Sequence, residues 1–243
     1  MARGALSYVV TALVASCAST SAPPNAPPLP ATAVLAPTTP PSVAAPEPDP
    51  APPTPPPTPS PPAEKPAVEW AVKLAPVTFR DTKSGESRSI RLYAADGSID
   101  EAALSALDQH LFRDETDKHL DRRLCQLVVK AAAHFHAAEV LVVSSVRDGA
   151  GKNSKHRSGQ AMDFSLPGVA AATLAAHLRT FARVGVGIYT HPRTQYVHLD
   201  VREQSFHWLD ASPPRRHWKE KGITEPGAPA RDRAWTPADD LPR

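Results

Sequence analysis

Three residues in two short stretches of the sequence have the chemistry of metal ligands. His156 and Asp163 lie seven positions apart in NSKHRSGQAMDF, and His198 lies in YVHLDV. Two imidazoles and one carboxylate with an open fourth position form the ligand set of a catalytic zinc ion, whereas structural zinc sites are closed and rich in cysteine. The spacing therefore favours two interpretations: a shared metal site, or polar residues that face solvent around hydrogen-bonded histidines.

Both stretches alternate between polar and apolar residues, as half-buried strands do. In GQAMDFSL, Asp163 shares one face with small residues, while the opposite face is apolar. In YVHLDV, His198 and Asp200 share a face with Tyr196. Polar groups that project from an otherwise apolar strand need partners, and a metal shared by the two strands would supply one.

The elements around these strands predict an α+β fold. The class is a small antiparallel sheet with helices packed on one side. Asp100 is expected to cap the first long helix, because its carboxylate accepts N–H groups of the first turn. The predicted strands are VTFR, SIRLY, EVLVVSSVR, GQAMDFSL, VGVGIY and YVHLDV, and the predicted helices are DEAALSALDQHLF, residues 118–137 and PGVAAATLAAHLRTFA.

The N-terminal third of the chain has a different composition. Residues 1–16 have the layout of a secretory signal, with a short apolar run after Arg3. The sequence LVASC resembles the bacterial lipobox, which implies that Cys17 is the lipidated residue. Ala18 follows where an aspartate would favour the inner membrane, so the outer membrane is expected. An ordinary cleaved signal is the alternative.

A proline-rich stretch separates this N-terminus from the part that can fold. Of the 29 prolines, 20 lie between Pro23 and Pro66, and proline lacks the N–H that helices and sheets require. Residues 17–67 are therefore predicted to be a Pro/Ala-rich disordered tether, residues 68–210 the folded domain, and residues 211–243 an irregular tail. The net charge of +2 gives no indication of a nucleic-acid partner, and we expect a monomer.

The folded region resembles the M15 zinc peptidase superfamily, and within it the murein endopeptidase K branch. The family pattern Ser-x-His-x-x-Gly-x-Ala-x-Asp is matched position by position in the stretch 154–163, and Val-His-x-Asp is matched in YVHLDV. The resemblance covers about residues 77–208. It implies a fold like that of hedgehog and D-Ala-D-Ala peptidases, with a zinc ion bound at the sheet.

The same resemblance implies roles for individual residues. His156, Asp163 and His198 resemble the zinc ligands, and Arg147 and Ser154 match residues that bind substrate. Asp200 is our candidate for the general base, with Arg147 as a second catalytic group that would stabilise the developing oxyanion. Asp200 is alternatively a partner that orients a ligand, and His191 is then the next candidate base.

Two features depart from the family pattern. Gln195 stands where some M15 peptidases have a glutamate three residues before the last ligand, and glutamine is not a useful proton acceptor. The loop DGAGKN between Arg147 and Ser154 is short where the family often has a long substrate loop. Both features keep a non-catalytic protein on the same fold among the alternatives.

These observations predict a zinc-dependent peptidoglycan endopeptidase. Zn²⁺ would lower the pKa of a water molecule and polarise the scissile carbonyl of a stem-peptide cross-link. A D,D-carboxypeptidase that removes terminal D-Ala and a non-catalytic peptidoglycan-binding lipoprotein are the alternatives. The lipobox and tether place the protein in the cell envelope, on the periplasmic side of the outer membrane, held by an N-terminal lipid anchor.

Overall fold

The computed structural model of the chain describes residues 65–112, 118–146, 154–214, 216, 218 and 220–242. All of them belong to one compact unit, Ser60–Arg243. The predicted signal peptide, Cys17, nearly all of the tether, and Arg147 lie outside the described residues. None of the helices in the described part has the length and apolarity needed to span a bilayer.

Eight strands form one mixed sheet. They are β1 (Val77–Asp81), β2 (Ser87–Ile90), β3 (Glu139–Ser144), β4 (Ala161–Ser165), β5 (Val184–Tyr189), β6 (Tyr196–Val201), β7 (Phe206–Asp210) and β8 (Lys221–Ile223). Their order in the sheet is β2-β1-β3-β4-β6-β5-β7-β8. The pairs β1–β3 and β5–β7 are parallel and the other pairs are antiparallel.

The α+β class is confirmed, but the prediction of a small antiparallel sheet is wrong in size and in strand direction. Strands β7 and β8 extend the sheet beyond the predicted strands. Alternation along a strand shows which side chains share a face, but it does not show which strands become neighbours. The two parallel pairs arise because β1 joins β3, and β5 joins β7, across long connections.

Five α-helices are described, and they agree only in part with the predicted ones. They are α1 (Glu69–Lys73), α2 (Glu101–Phe112), α3 (Arg122–His134), α4 (Ala171–Leu178) and α5 (Ala228–Ala234). Asp100 accepts the N–H groups of Ala102 and Ala103, so the predicted cap of α2 is confirmed. Helix α3 is shorter than the predicted range 118–137, because Asp121 caps its first turn. Helix α4 starts after Gly168, whose φ of +79° is incompatible with a helix.

The hydrophobic core lies between the sheet and helices α2, α3 and α4. Val197, Leu199 and Val201 of β6 belong to the same buried cluster as the apolar residues of these helices. Cys125 of α3 is a free, buried thiol, and burial raises its pKa. A buried thiol of this kind packs as a small apolar core residue. On β6, His198 and Asp200 alternate with the core residues Val197, Leu199 and Val201. They therefore project from the other face of the sheet.

Residues 211–243 differ from the irregular tail expected from their proline and glycine content. Their described part contains β8, α5 and a 3-10 turn at Pro237–Asp240. Asp240 is buried and pairs with Arg123 of α3, with 2.7 Å between Nε and Oδ2. The ring of Trp235 lies 4.7 Å from the guanidinium carbons of both Arg123 and Arg183. The tail is therefore ordered by charged and aromatic partners that are distant in sequence.

We predict that Asp240→Ala destabilises the protein by about 3 kcal/mol, because it leaves Arg123 without its partner at a largely buried site. Urea unfolding of the purified protein measures the change in the free energy of unfolding. Glu69→Ala is the matched control. It removes the exposed pair of Glu69 and Lys73 and is expected to change stability by less than about 0.5 kcal/mol. Equal effects of the two variants would contradict the prediction.

Candidate metal centre

The register of four neighbouring strands brings the candidate ligands together. Asp163 of β4 pairs with His198 of β6, His198 pairs with Gly187 of β5, and Gly187 pairs with Trp208 of β7. These residues form one row across the sheet, on the face opposite to the helices. His156 reaches the same point from the turn that precedes β4.

The turn before β4 needs a glycine. Gly159 has a φ of +69°, a left-handed conformation that side chains with a Cβ rarely adopt. A Cβ at this position would also overlap the backbone carbonyl of His119. A residue with a side chain at this position would therefore disturb the turn that returns His156 beside Asp163.

The three ligand atoms form a nearly equilateral triangle. His198 Nδ1 lies 2.9 Å from Asp163 Oδ1 and 3.1 Å from His156 Nε2, and the third edge, from His156 Nε2 to Asp163 Oδ1, is 3.3 Å. Two ligand atoms at about 2.0–2.1 Å from one tetrahedral ion lie about 3.3 Å apart. All three residues are buried. The donor set and its spacing therefore fit a zinc ion.

Hydrogen bonds on the outer edges of both rings orient the imidazoles. His156 Nδ1 lies 2.6 Å from the backbone oxygen of Ser145, which can only accept, so this nitrogen donates. His198 Nε2 lies 3.0 Å from Asp200 Oδ2 and donates to that carboxylate. The nitrogens that face Asp163 are then free to act as ligands. Such fixed outer partners are typical of histidines that bind metals.

The charges in this cluster favour a cation. Burial raises the pKa of Asp163, but its hydrogen bonds with His156 and His198 outweigh burial and hold the pKa below its usual range. Burial lowers the pKa of His198, and the carboxylates of Asp163 and Asp200 outweigh burial and raise it. The site thus stabilises positive charge between its ligand atoms. A divalent cation bound there would replace a proton.

Asp200 lies behind His198 and has no exposed surface. Arg202 Nε donates to Asp200 Oδ1 at 2.6 Å, and Arg202 Nη2 donates to Oδ2. The carboxylate is therefore shared between a guanidinium and the outer edge of the His198 ring, on the side away from the ligand nitrogen. Gly185 on β5 makes this pair possible, because a Cβ there would overlap both side chains.

The other candidates from the sequence have different positions. Ser154 is half-buried at the start of the turn that carries His156, and its carbonyl accepts the N–H of Arg157 at 3.0 Å. His191 accepts the N–H of Arg193 within its own loop, and Gln195 is exposed. Arg147 lies outside the described residues. The structure thus brings together the three ligands and Asp200.

Sequence reasoning missed the aromatic residues and glycines around the ligands. The Trp208 ring centroid lies 5.0 Å from that of His198, and the indole occupies the space above Gly187. Tyr189 and Tyr196 lie one row further along, with ring centroids 4.4 Å apart. Burial and the nearby Asp163 raise the pKa of Tyr189, which keeps it a phenol. The alternating glycines in VGVGIY were the available signal.

A buried His-Asp-His cluster on the face of an α+β sheet is the type of site found in metal-dependent hydrolases. The chain belongs to the Peptidase_M15_2 family, described as peptidoglycan L,D-endopeptidase MepK, whose model matches residues 69–208. This confirms the resemblance to the M15 superfamily and its murein endopeptidase K branch, and it makes the chain a member of a peptidase family.

Curated relatives agree with the family. The chain is 28% identical over 158 residues to the peptidoglycan L,D-endopeptidase MepK of Escherichia coli strain K12. The match covers 58% of this chain and 79% of the relative. The relatives of the same name from Escherichia coli O157:H7 and Shigella flexneri match with the same identity and coverage. No solved structure gives a significant match.

We predict that Gly187→Ala destabilises the protein by about 1–3 kcal/mol, because the added methyl group would lie 2.5 Å from the Trp208 ring and overpack the site. The matched control is Gly222→Ala. Gly222 pairs with Trp208 on the neighbouring strand, but a Cβ there meets nothing within 4 Å. Urea unfolding gives the energies, and near-ultraviolet circular dichroism reports the displaced indole. A change of the same size in the control would contradict this packing argument.

Proposed function

We propose that this protein is a zinc-dependent peptidoglycan endopeptidase that hydrolyses stem-peptide cross-links. The observation that carries the proposal is the buried triangle of His156, Asp163 and His198, whose edges of 2.9 to 3.3 Å fit one tetrahedral ion. Membership of the MepK family supports the substrate. The relatives are named L,D-endopeptidases, and we propose the same bond for this chain, in bridges linked through diaminopimelate.

His156, Asp163 and His198 would hold the zinc ion through Nε2, Oδ1 and Nδ1. Zinc with three protein ligands supplies an activated water and a Lewis acid for the scissile carbonyl. The protein contributes the orientation of both imidazoles, through Ser145 and Asp200, and a buried environment that strengthens electrostatic interactions. Trp208 packs against His198 and excludes solvent from that side of the ring.

Asp200 orients His198 in our proposal and does not serve as the general base. Both of its oxygens bond to Arg202, and Oδ2 also accepts from His198 Nε2. The hydrogen bonds to His198 and Arg202 outweigh the effect of burial and lower the pKa of Asp200. A fully buried carboxylate that is ion-paired with Arg202 and bonds to the edge of His198 away from Asp163 is placed to orient this ring. This placement supports the alternative role considered for Asp200 from the sequence.

Arg147 and Ser154 remain our candidates for binding substrate. Ser154 stands two residues before a ligand, in the turn that positions it. Arg147 lies two residues after Ser145 in the sequence, and the carbonyl of Ser145 accepts the hydrogen bond from His156. A guanidinium would pair with a substrate carboxylate or with the developing oxyanion.

The cellular setting is proposed from the N-terminal sequence. Residues 1–16 would direct export, and lipidation of Cys17 would anchor a monomeric protein to the outer membrane on its periplasmic side. Residues 17–67 would act as an extended tether. At about 3.1 Å per residue, some 45 residues would reach on the order of 130 Å from the membrane, which suits an enzyme whose substrate is the cell wall.

We predict that the purified protein binds about one zinc ion per chain and converts cross-linked muropeptide dimers from isolated sacculi into monomers. Removing the metal with a chelator should abolish the conversion, and adding zinc should restore it. His156→Ala should lose both zinc and activity. Elemental analysis and chromatography of the muropeptides are the measurements.

The other functions predict different products from the same digest. A D,D-carboxypeptidase would release terminal D-Ala and leave the dimers intact. A non-catalytic protein would bind sacculi and yield no product. Persistence of the dimers with zinc bound, and with His156→Ala indistinguishable from the parent, would refute the proposal.

The role of Asp200 is tested with Asp200→Asn. If Asp200 orients His198, zinc affinity falls by about 10- to 100-fold, and most of the lost activity returns when zinc is added in excess. If Asp200 is the base, zinc affinity stays close to that of the parent and the lost activity does not return. Asp210→Asn is the matched control. Asp210 is a buried aspartate on β7 that caps Ser212 and has no described contact with the ligands.

A further inference from the structure

Phe206 is an exposed aromatic residue next to the candidate metal centre. It is 52% exposed, and Val72 and Trp218 are the other large apolar side chains in the described part that are exposed. Phe206 opens β7 and pairs with Gly185, which pairs in turn with Asp200. By alternation along β7 it shares a face with Trp208. Phe206 therefore lies on the same face of the sheet as the ligands.

Contacts connect Phe206 to the ligands without interruption. The rings of Phe206 and Trp208 stack with centroids 5.8 Å apart and an angle of 26° between their planes. Trp208 in turn lies 5.0 Å from the ring of His198. The guanidinium carbon of Arg202 is 5.8 Å from the Phe206 ring and 5.9 Å from the Trp208 ring. An isolated surface aromatic would need no explanation, but this one is the outer end of a surface that starts at a ligand.

Two glycines make this surface possible. Any side chain at Gly187 would displace the indole of Trp208, and any side chain at Gly185 would displace Arg202 from Asp200. Strand β5 therefore leaves its face of the sheet free for the rings of β7 and for the guanidinium. Arg202 uses Nε and Nη2 for Asp200, and its side chain is 24% exposed. Its third nitrogen, Nη1, makes no hydrogen bond among the described contacts.

We infer that Phe206 and Arg202, supported from below by the buried ring of Trp208, form a subsite for a sugar ring of the glycan strand that carries the cleaved stem peptide. This inference rests on the proposed function. The apolar C–H face of a pyranose stacks on an aromatic ring, and its hydroxyl and acetamido oxygens accept hydrogen bonds from a guanidinium. The exposed ring of Phe206, with the partly exposed guanidinium of Arg202 5.8 Å away, offers both contacts at once.

The distance between the ligands and Phe206 suits this substrate. The register places the backbone of Trp208 two strands away from that of His198, which is about 10 Å across the sheet. Phe206 lies two residues from Trp208 along β7, which adds about 7 Å in the direction of the strand. The separation along the sheet is thus about 12 Å. About three residues of stem peptide separate a sugar from the cross-linking bond, and they span about 10 Å when extended. The two lengths are similar, so a sugar attached to the cleaved stem would lie close to Phe206.

The test compares two substrates that differ only in their sugars. One is the purified cross-linked muropeptide dimer with its disaccharides, and the other is the same dimer after an amidase has removed them. We expect the parent enzyme to prefer the sugar-bearing dimer in kcat/KM by about 3- to 10-fold, the size expected of one aromatic contact. Phe206→Ala should lose this preference through a higher KM, with kcat and zinc content unchanged. Phe206→Trp should keep it.

Val72→Ala is the control, because Val72 is exposed to a similar extent and lies on α1. It should leave the preference intact. Equal cleavage of both dimers by the parent, or a preference that survives in Phe206→Ala, would overturn the sugar subsite and leave the proposed function standing. A parent enzyme that cleaves neither dimer would overturn the proposed function itself.

Discussion

His198 is the residue on which the arrangement of the site depends, because both of its ring nitrogens are committed. Nδ1 faces Asp163 and His156, and Nε2 donates to Asp200. An imidazole held at both edges cannot rotate without breaking a hydrogen bond at a buried position, which is costly. The ring therefore has one orientation before any metal binds, and the position of its Nδ1 is set by β6 and its neighbours.

The main unfavourable free energy in this arrangement comes from burying the carboxylate of Asp200. A carboxylate with no exposed surface loses its hydration, and the loss is offset only when partners satisfy its oxygens. Arg202 and His198 supply those partners, and Gly185 supplies the room. Removing any one of them would leave a buried charge without compensation. The sequence YVHLDVR thus encodes a connected unit, in which the residues after the ligand stabilise the ligand.

The grouping of these side chains could be predicted from the sequence because two kinds of local information agreed. The alternation of polar and apolar residues predicted that Asp163 lies on the polar face of one strand and that His198 and Asp200 share the polar face of another. The structure has the same arrangement on β4 and β6. The spacing of His156 from Asp163 made it a third candidate, and the family pattern agreed. The return of His156 to the site depends on the conformation of Gly159. Such local patterns do not encode which strands become neighbours. The parallel pairing of β5 with β7, which brings Trp208 beside His198, was therefore not foreseen. Nor was the order of the C-terminal segment, which depends on a charged residue 117 positions earlier in the chain.

Arg202 joins the two halves of the site. One edge of its guanidinium holds the carboxylate behind a metal ligand, and its plane lies beside the rings of Phe206 and Trp208. A substitution of Arg202 would therefore alter ligand orientation and the aromatic surface together, and its effects could not be assigned to either. In the described contacts, Phe206 packs against Trp208 and Arg202 but touches neither Asp200 nor a candidate ligand. A substitution of Phe206, at the outer end of the row of contacts that begins at His198, would therefore test the proposed sugar subsite separately from the proposed metal site.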